Sequence, residues 1–146
     1  MPFIGFNFDK ISAEHLKDVR GNVNVKHNLN IVNVKEHEVN LDKKQEVLKF
    51  EFEFNLDYEP GFGNINIKGH MLYTDNPKKM KDILQEWKKN KKLPNDVMAS
   101  LFNTTLAKSN IKALALSQDI NLPPHLPLPR IEKQQKVNVN VKEYIG

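Results

Sequence analysis

The chain is 146 residues long, 39% hydrophobic and 27% charged, with a formal net charge of +4 and no cysteine. That apolar share is too high for a disordered chain, and its apolar runs are too short to cross a bilayer. The composition therefore fits a single domain, residues 1–146, that buries a core. Without thiols there can be no disulfide, Fe–S cluster or thiolate zinc site. With no signal-peptide pattern at the start, a cytoplasmic setting without membrane insertion is expected.

Residues 1–21 form an N-terminal arm in this reading. Phe3, Ile4, Phe6, Phe8 and Ile11 surround Gly5, a stretch expected to dock as an arm or an edge strand. Residues 12–21 are polar enough for a short helical turn or a loop. Residues 22–74 read as antiparallel strands. Val23, Val25, Leu29 and Ile31 face one way, with Asn22, Asn24, Asn28 and Asn30 opposite, the period of two of a half-buried strand. The phase slips at Ile31-Val32, after which Val32 and Val34 carry the apolar face; one extra residue in a bulge produces such a slip.

The next strand is the clearest signal in the chain. Leu48, Phe50, Phe52, Phe54, Leu56 and Tyr58 alternate with Lys49, Glu51, Glu53, Asn55 and Asp57. Pro60-Gly61-Phe62-Gly63 supplies turn chemistry, and a third strand follows with Ile65, Ile67, Met71 and Tyr73 in phase. One face of this meander should be buried and the other wet.

Residues 77–120 read as a helical pair. Asp75-Asn76-Pro77 caps the first helix, whose Met80, Ile83, Leu84 and Trp87 form one apolar stripe. Pro94-Asn95-Asp96 opens a second, running from about Asp96 to Ile120. Its first half is amphipathic through Val97, Met98, Leu101, Phe102 and Leu106. Ile111, Ala113, Leu114, Ala115 and Leu116 leave the second half almost no polar face. A helix apolar all round needs cover on all sides, so a second subunit is expected over Ile111, Leu114, Leu116 and Ile120. Residues 121–146 hold a strap, Leu122-Pro123-Pro124-His125-Leu126-Pro127-Leu128-Pro129, and a last strand of Val137, Val139 and Val141 spaced by asparagines. That strand is expected to pair near the first. The fold class is therefore α+β: an antiparallel meander packed by one short and one long helix, with an extra C-terminal strand.

Candidate chemistry is sparse. The histidines at 15, 27, 37, 70 and 125 show no metal-ligand spacing, and the Glu36-His37-Glu38 trio cannot converge because adjacent strand residues point to opposite faces. Gly61-Phe62-Gly63 joins two strands and opens no helix, so it lacks the amide cradle of a phosphate loop. The serines lie in no nucleophile elbow. Glu51 and Glu53 share one strand face, which alternating charge on a wet surface explains. Phe50, Phe52 and Phe54 are expected in the core, not on a base-stacking platform. No enzyme, cofactor or metal is expected. Basic charge concentrates in one place: Lys78, Lys79, Lys81, Lys88, Lys89, Lys91 and Lys92 stand against Asp82 and Glu86, so the rest of the chain nets −1. Lysines of this kind suit phosphate backbones or acidic partners, or simply a solvated helix face.

The stretch from Trp87 to Arg130, with Lys91-Lys92-Leu93-Pro94, Asn110-Ile111-Lys112-Ala113-Leu114 and the Leu-Pro run, resembles a family of small uncharacterised archaeal proteins, which has no activity to carry over. From Val23 to Pro129 the order of elements resembles the SecB-like export chaperones. That resemblance implies a four-stranded antiparallel sheet, a long helix at an oligomer interface, and a holdase gripping unfolded chains in apolar grooves. The chain departs from that family in its basic charge and in residues 137–141.

The expected function is thus a non-enzymatic protein-binding module, a dimer or tetramer that holds unfolded polypeptide or an acidic protein, with Leu122, Leu126 and Leu128 in the client groove. The alternative is a basic accessory protein that meets RNA or the ribosome through the seven lysines of residues 78–92.

Overall fold

The computed structural model describes residues 3–40 and 44–127. Four strands form one antiparallel sheet: β1 (Phe3–His15), β2 (Asn24–Asn40), β3 (Lys44–Glu59) and β4 (Gly63–Tyr73), in the order β1-β4-β3-β2. Two helices follow, α1 (Pro77–Asn90) and α2 (Asn95–Asp119). The α+β class and the β2-β3-β4 meander are as expected. β1 is a full edge strand on β4, pairing from Phe3↔Tyr73 to His15↔Gly63. Residues 12–15 therefore continue the strand where a turn or loop was expected. Their backbone groups are satisfied by β4, and at a sheet edge an alternating apolar face is not required.

The expected bulge is present. β2 pairs Ile31↔Phe52 and then Asn33↔Glu51, so Val32 is the extra residue. It points outward, 52% exposed, while Val34 returns to the buried face opposite Phe50. Val32 and Val34 thus do not share a face, because a bulged residue leaves the pleat. β1 carries similar irregularities at Ile4 and Asp9.

The aromatic face of β3 is the floor of the core. Phe50, Phe52, Phe54, Leu56 and Tyr58 are buried, with Ile65, Ile67, Met71 and Tyr73 of β4 beside them. Burying each such side chain contributes about 1.5–3 kcal/mol of transfer free energy. The turn between β3 and β4 closes with the Phe62 amide donating to the Tyr58 carbonyl at 2.8 Å, and Gly61 takes φ +68°. Glycine, with no β-carbon, adopts that conformation without strain.

α1 starts where its cap dictates. Asn76 accepts from the Lys79 amide at 2.8 Å, Pro77 takes the first turn, and Lys91 ends the helix in the left-handed region. Ile83, Leu84 and Trp87 pack on Val34, Leu48, Phe50, Met71 and Tyr73, joined by Leu93, Val97 and Leu101 from the α1–α2 connection and α2. α2 then crosses the sheet to a second cluster, where Ala113 and Leu122 meet Phe52, Phe54, Leu56, Ile65 and Ile67.

The buried stripe of α2 is Val97, Leu101, Thr105, Ser109, Ala113 and Ser117. Small residues at every fourth position let the helix lie close on the aromatic sheet. Among the described residues the second half of α2 is not covered on all sides: Ile111 is 69% exposed.

Candidate binding surfaces

The most exposed large apolar side chain of α2, Ile111, borders a groove. Phe6 and Phe8 of β1 face Ile111 and Ala115 of α2 across a space of about 420 Å³, with Lys108 and Lys112 on its rim. Phe6 is anchored beneath it, stacked on Phe52 at 5.3 Å and edge-on to Phe8 at 5.0 Å. The Lys108 ammonium stands 5.1 Å from the centre of the Phe6 ring. A cation over an aromatic face is favourable and leaves the charge at the groove's mouth. The groove exists because the small stripe of α2 sets the helix down on β3 and β4, and the outer strand β1 runs past its flank.

The strap makes a second concavity of about 620 Å³ with the end of α2, lined by Leu114, Ala115, Ser117, Gln118, Asn121, Leu122 and Pro124. Asn121 is left-handed at φ 58°, which turns the chain back, and the Leu122 amide donates to the Ser117 carbonyl at 2.8 Å. A third, of about 600 Å³, lies beside α1 with Val47, Leu48 and Met80 as floor and Glu36, Glu46, Asp75 and Lys81 around it.

Of the residues expected at an oligomer interface, Ile111 is exposed and Leu114 half-buried. Leu116 and Ile120 are half-buried against the chain's own second cluster. Of the expected groove residues, Leu122 is buried in that same cluster, its δ-carbons 3.0 Å from where a β-carbon on Gly63 would stand. Leu126 is half-buried, and Leu128 lies outside the described residues, as do Arg130 and the last strand at Val137, Val139 and Val141.

The lysines divide. Lys79 pairs with Asp75 at 3.5 Å and Asp96 at 3.2 Å, tying α1 to the start of α2. Lys78, Lys81, Lys88, Lys89, Lys91 and Lys92 are exposed. Lys88 and Lys89 occupy the last turn, where cations complement the helix dipole, and the Lys91 ammonium lies 5.3 Å from the Trp87 ring. These are ordinary structural roles for helix-end lysines, and they leave the charges in solvent.

Titratable groups that depart from their usual behaviour do so for structural reasons. The Tyr73 hydroxyl is pushed up to about 12 by burial and by donating to Asp75 at 2.8 Å. His125 is pushed down to about 4, first by burial and then by the neighbouring His27. Its Nε2 lies 2.8 Å from Asn110 Oδ1, and its ring stands edge-on to His27 at 5.3 Å. His70 and Asp9, 2.7 Å apart, meet on the open sheet face. No group of three or more metal-ligating side chains occurs among the described residues. No helix among them is long and apolar enough to cross a membrane.

Sequence reasoning missed the groove. It read Phe6 and Phe8 as part of an arm or an edge strand and Ala115 as part of the all-apolar half of the long helix, and it gave Lys108 and Lys112 no role. The signal was the pairing of an alternating aromatic edge with an exposed isoleucine on a helix, which only becomes a site when the two elements are adjacent.

No family model and no curated protein matches the chain. Among solved structures it is similar to a SecB-like chaperone of Mycobacterium tuberculosis, solved in complex with a ChAD peptide from an antitoxin. The two are 9% identical, the match covers 91% of each chain, and the TM-score is 0.48.

Proposed function

We propose that this protein is a non-enzymatic polypeptide-binding module that holds an extended, unfolded segment in the groove between β1 and α2. The observation that carries the reading is the pairing of Phe6 and Phe8 with the exposed Ile111 under a rim of Lys108 and Lys112. An open apolar concavity of this volume takes side chains of an unfolded chain, and the two lysines favour a segment flanked by acidic residues. Among the described residues β1 is also an edge strand, so its outer backbone groups are available there to a peptide that adds alongside it.

Titration of a fluorescein-labelled decapeptide, leucine-rich at its centre and flanked by glutamates, tests this by anisotropy. Binding that Ile111→Asp weakens about tenfold or more supports the groove. Ile111 is exposed, so the substitution leaves the fold intact. Absence of peptide binding, together with salt-sensitive capture of an RNA oligomer that needs Lys88, Lys89, Lys91 and Lys92, would replace it with the phosphate-binding alternative. An assembly that Ile111→Asp turns into monomers, in a protein that ignores the peptide, would instead assign the α2 face to a second copy.

A further inference from the structure

β2 closes one side of the sheet. It pairs with β3 from Asn24↔Glu59 to Asn40↔Lys44, and among the described residues nothing pairs with its other side. A long free edge presents a row of unsatisfied N–H and C=O groups and is a template for one more strand. The stretch before the Val32 bulge, residues 24–31, is regular, whereas β1 on the opposite side is interrupted at both Ile4 and Asp9. On the helix side of that stretch Val25, Leu29 and Ile31 are only half-buried, so a neighbour's side chains have apolar surface to cover.

The chain after α2 is delivered to this edge. The His15 ring nitrogen Nδ1 sits 2.6 Å from the Ile120 carbonyl, which starts the strap over β1. Leu122 then packs on Gly63 of β4, and His125 packs on Phe54 of β3 and His27 of β2 at 6.3 and 5.3 Å. The strap therefore crosses all four strands and reaches the free edge two residues before the last described position, Pro127. Nineteen residues remain, among them Lys136-Val137-Asn138-Val139-Asn140-Val141-Lys142.

We propose that residues 137–141 add to the free edge of β2 as a fifth strand of the same chain. Residues 128–136, fully extended, reach about 30 Å, enough to bring the segment alongside residues 24–31 in either direction. Five residues of strand cover about 17 Å. Alternation puts Val137, Val139 and Val141 on the face of Val25, His27, Leu29 and Ile31, and Asn138 and Asn140 on the face of the outward Asn28 and Asn30. The added strand would satisfy the edge and remove it as a site of uncontrolled pairing between molecules.

Amide hydrogen exchange and NOE spectroscopy on the full chain test this without any substitution. The expected result is slowed exchange at alternate amides of residues 24–31 and 137–141, with inter-strand NOEs between them. Val139→Pro, which removes a ladder donor, should speed exchange at those β2 amides by tenfold or more and leave β4 amides unchanged. Unprotected amides at 137–141 in the wild-type chain would overturn the proposal. So would β2 exchange that ignores Val139→Pro, or NOEs that appear only between differently labelled copies, since these place the segment on a second molecule. Peptide binding at the β1–α2 groove should be unaffected by Val139→Pro, so this test and that of the groove fail independently.

Discussion

The ring of Phe52 fills the space that a β-carbon on Gly69 would occupy: such an atom would stand 2.7 Å from Phe52 Cζ and against the backbone carbonyl of Asn7. Gly69 pairs with Phe52 on one side and Phe8 on the other, and the absent side chain lets the Phe52 ring close over β4, where it stacks on Phe6. Gly69→Ala should cost about 1–3 kcal/mol in urea unfolding. Adding Phe52→Leu should not restore the loss, because the Asn7 carbonyl belongs to the backbone of β1 and cannot move aside. Full recovery in the double variant would show that only the ring was in the way.

His125 gives the fold an acid-sensitive point. Its folded pKa of about 4 lies below the unfolded value near 6.5, so between these pH values the unfolded chain binds the extra proton. Its contribution is therefore complete above about pH 6.5 and is lost as the pH falls towards 4. The size is at most about 3 kcal/mol. The carboxylates that depart from normal, Asp9, Asp75 and Asp96, are all shifted downward, away from this window. Against the opposing cost of burial, Asp9 is lowered by its hydrogen bonds with His70 and Asn7. Asp75 is held down by the Asn76 amide and Tyr73, and Asp96 by Lys79. Thermal unfolding across this window should show a slope that His125→Gln flattens, whereas an unchanged slope would move the effect elsewhere.

Ser109 is buried against the sheet, and its hydroxyl has no hydrogen-bond partner among the described residues. Ser109→Ala removes a desolvated polar group and improves helix propensity, so stability should rise by about 1 kcal/mol. Ser109→Leu should lower it by about 1–3 kcal/mol, because the helix lies too close to the sheet for a branched side chain. Chemical denaturation of both variants checks this, and a stabilised Ser109→Leu would mean that the helix can lift away.

Asn76 holds the first turn of α1 through the Lys79 amide. Asn76→Ala should cost about 1 kcal/mol, and Asn76→Ser much less, because serine supplies the same acceptor. Equal losses in the two variants, read from thermal midpoints, would mean that the side-chain oxygen is not what matters.

Much of this fold can be read along the chain. The strict alternation from Leu48 to Tyr58 marks β3, the phase slip at Ile31-Val32 marks the bulge, and Asn76-Pro77 marks the start of α1. Each is a local signal, because period, turn chemistry and capping act within a few residues. The edge strand was legible only as far as its apolar residues ran, since at a free edge the backbone decides pairing and side chains need not alternate. The packing face of α2 was misjudged because large apolar residues are the conspicuous ones, whereas close approach of a helix to an aromatic sheet selects threonine, serine and alanine.

By itself, then, the sequence determined which segments become strands and helices, which sheet face is wet, and where positive charge gathers, all properties of neighbours in the chain. Only the tertiary structure decided that Phe8 stands across from Ile111, and that the strap brings His125 to His27 of β2. Those relations join residues far apart along the chain. They follow from how closely α2 settles on the sheet, a distance set by the packing of many side chains at once and written in no local pattern.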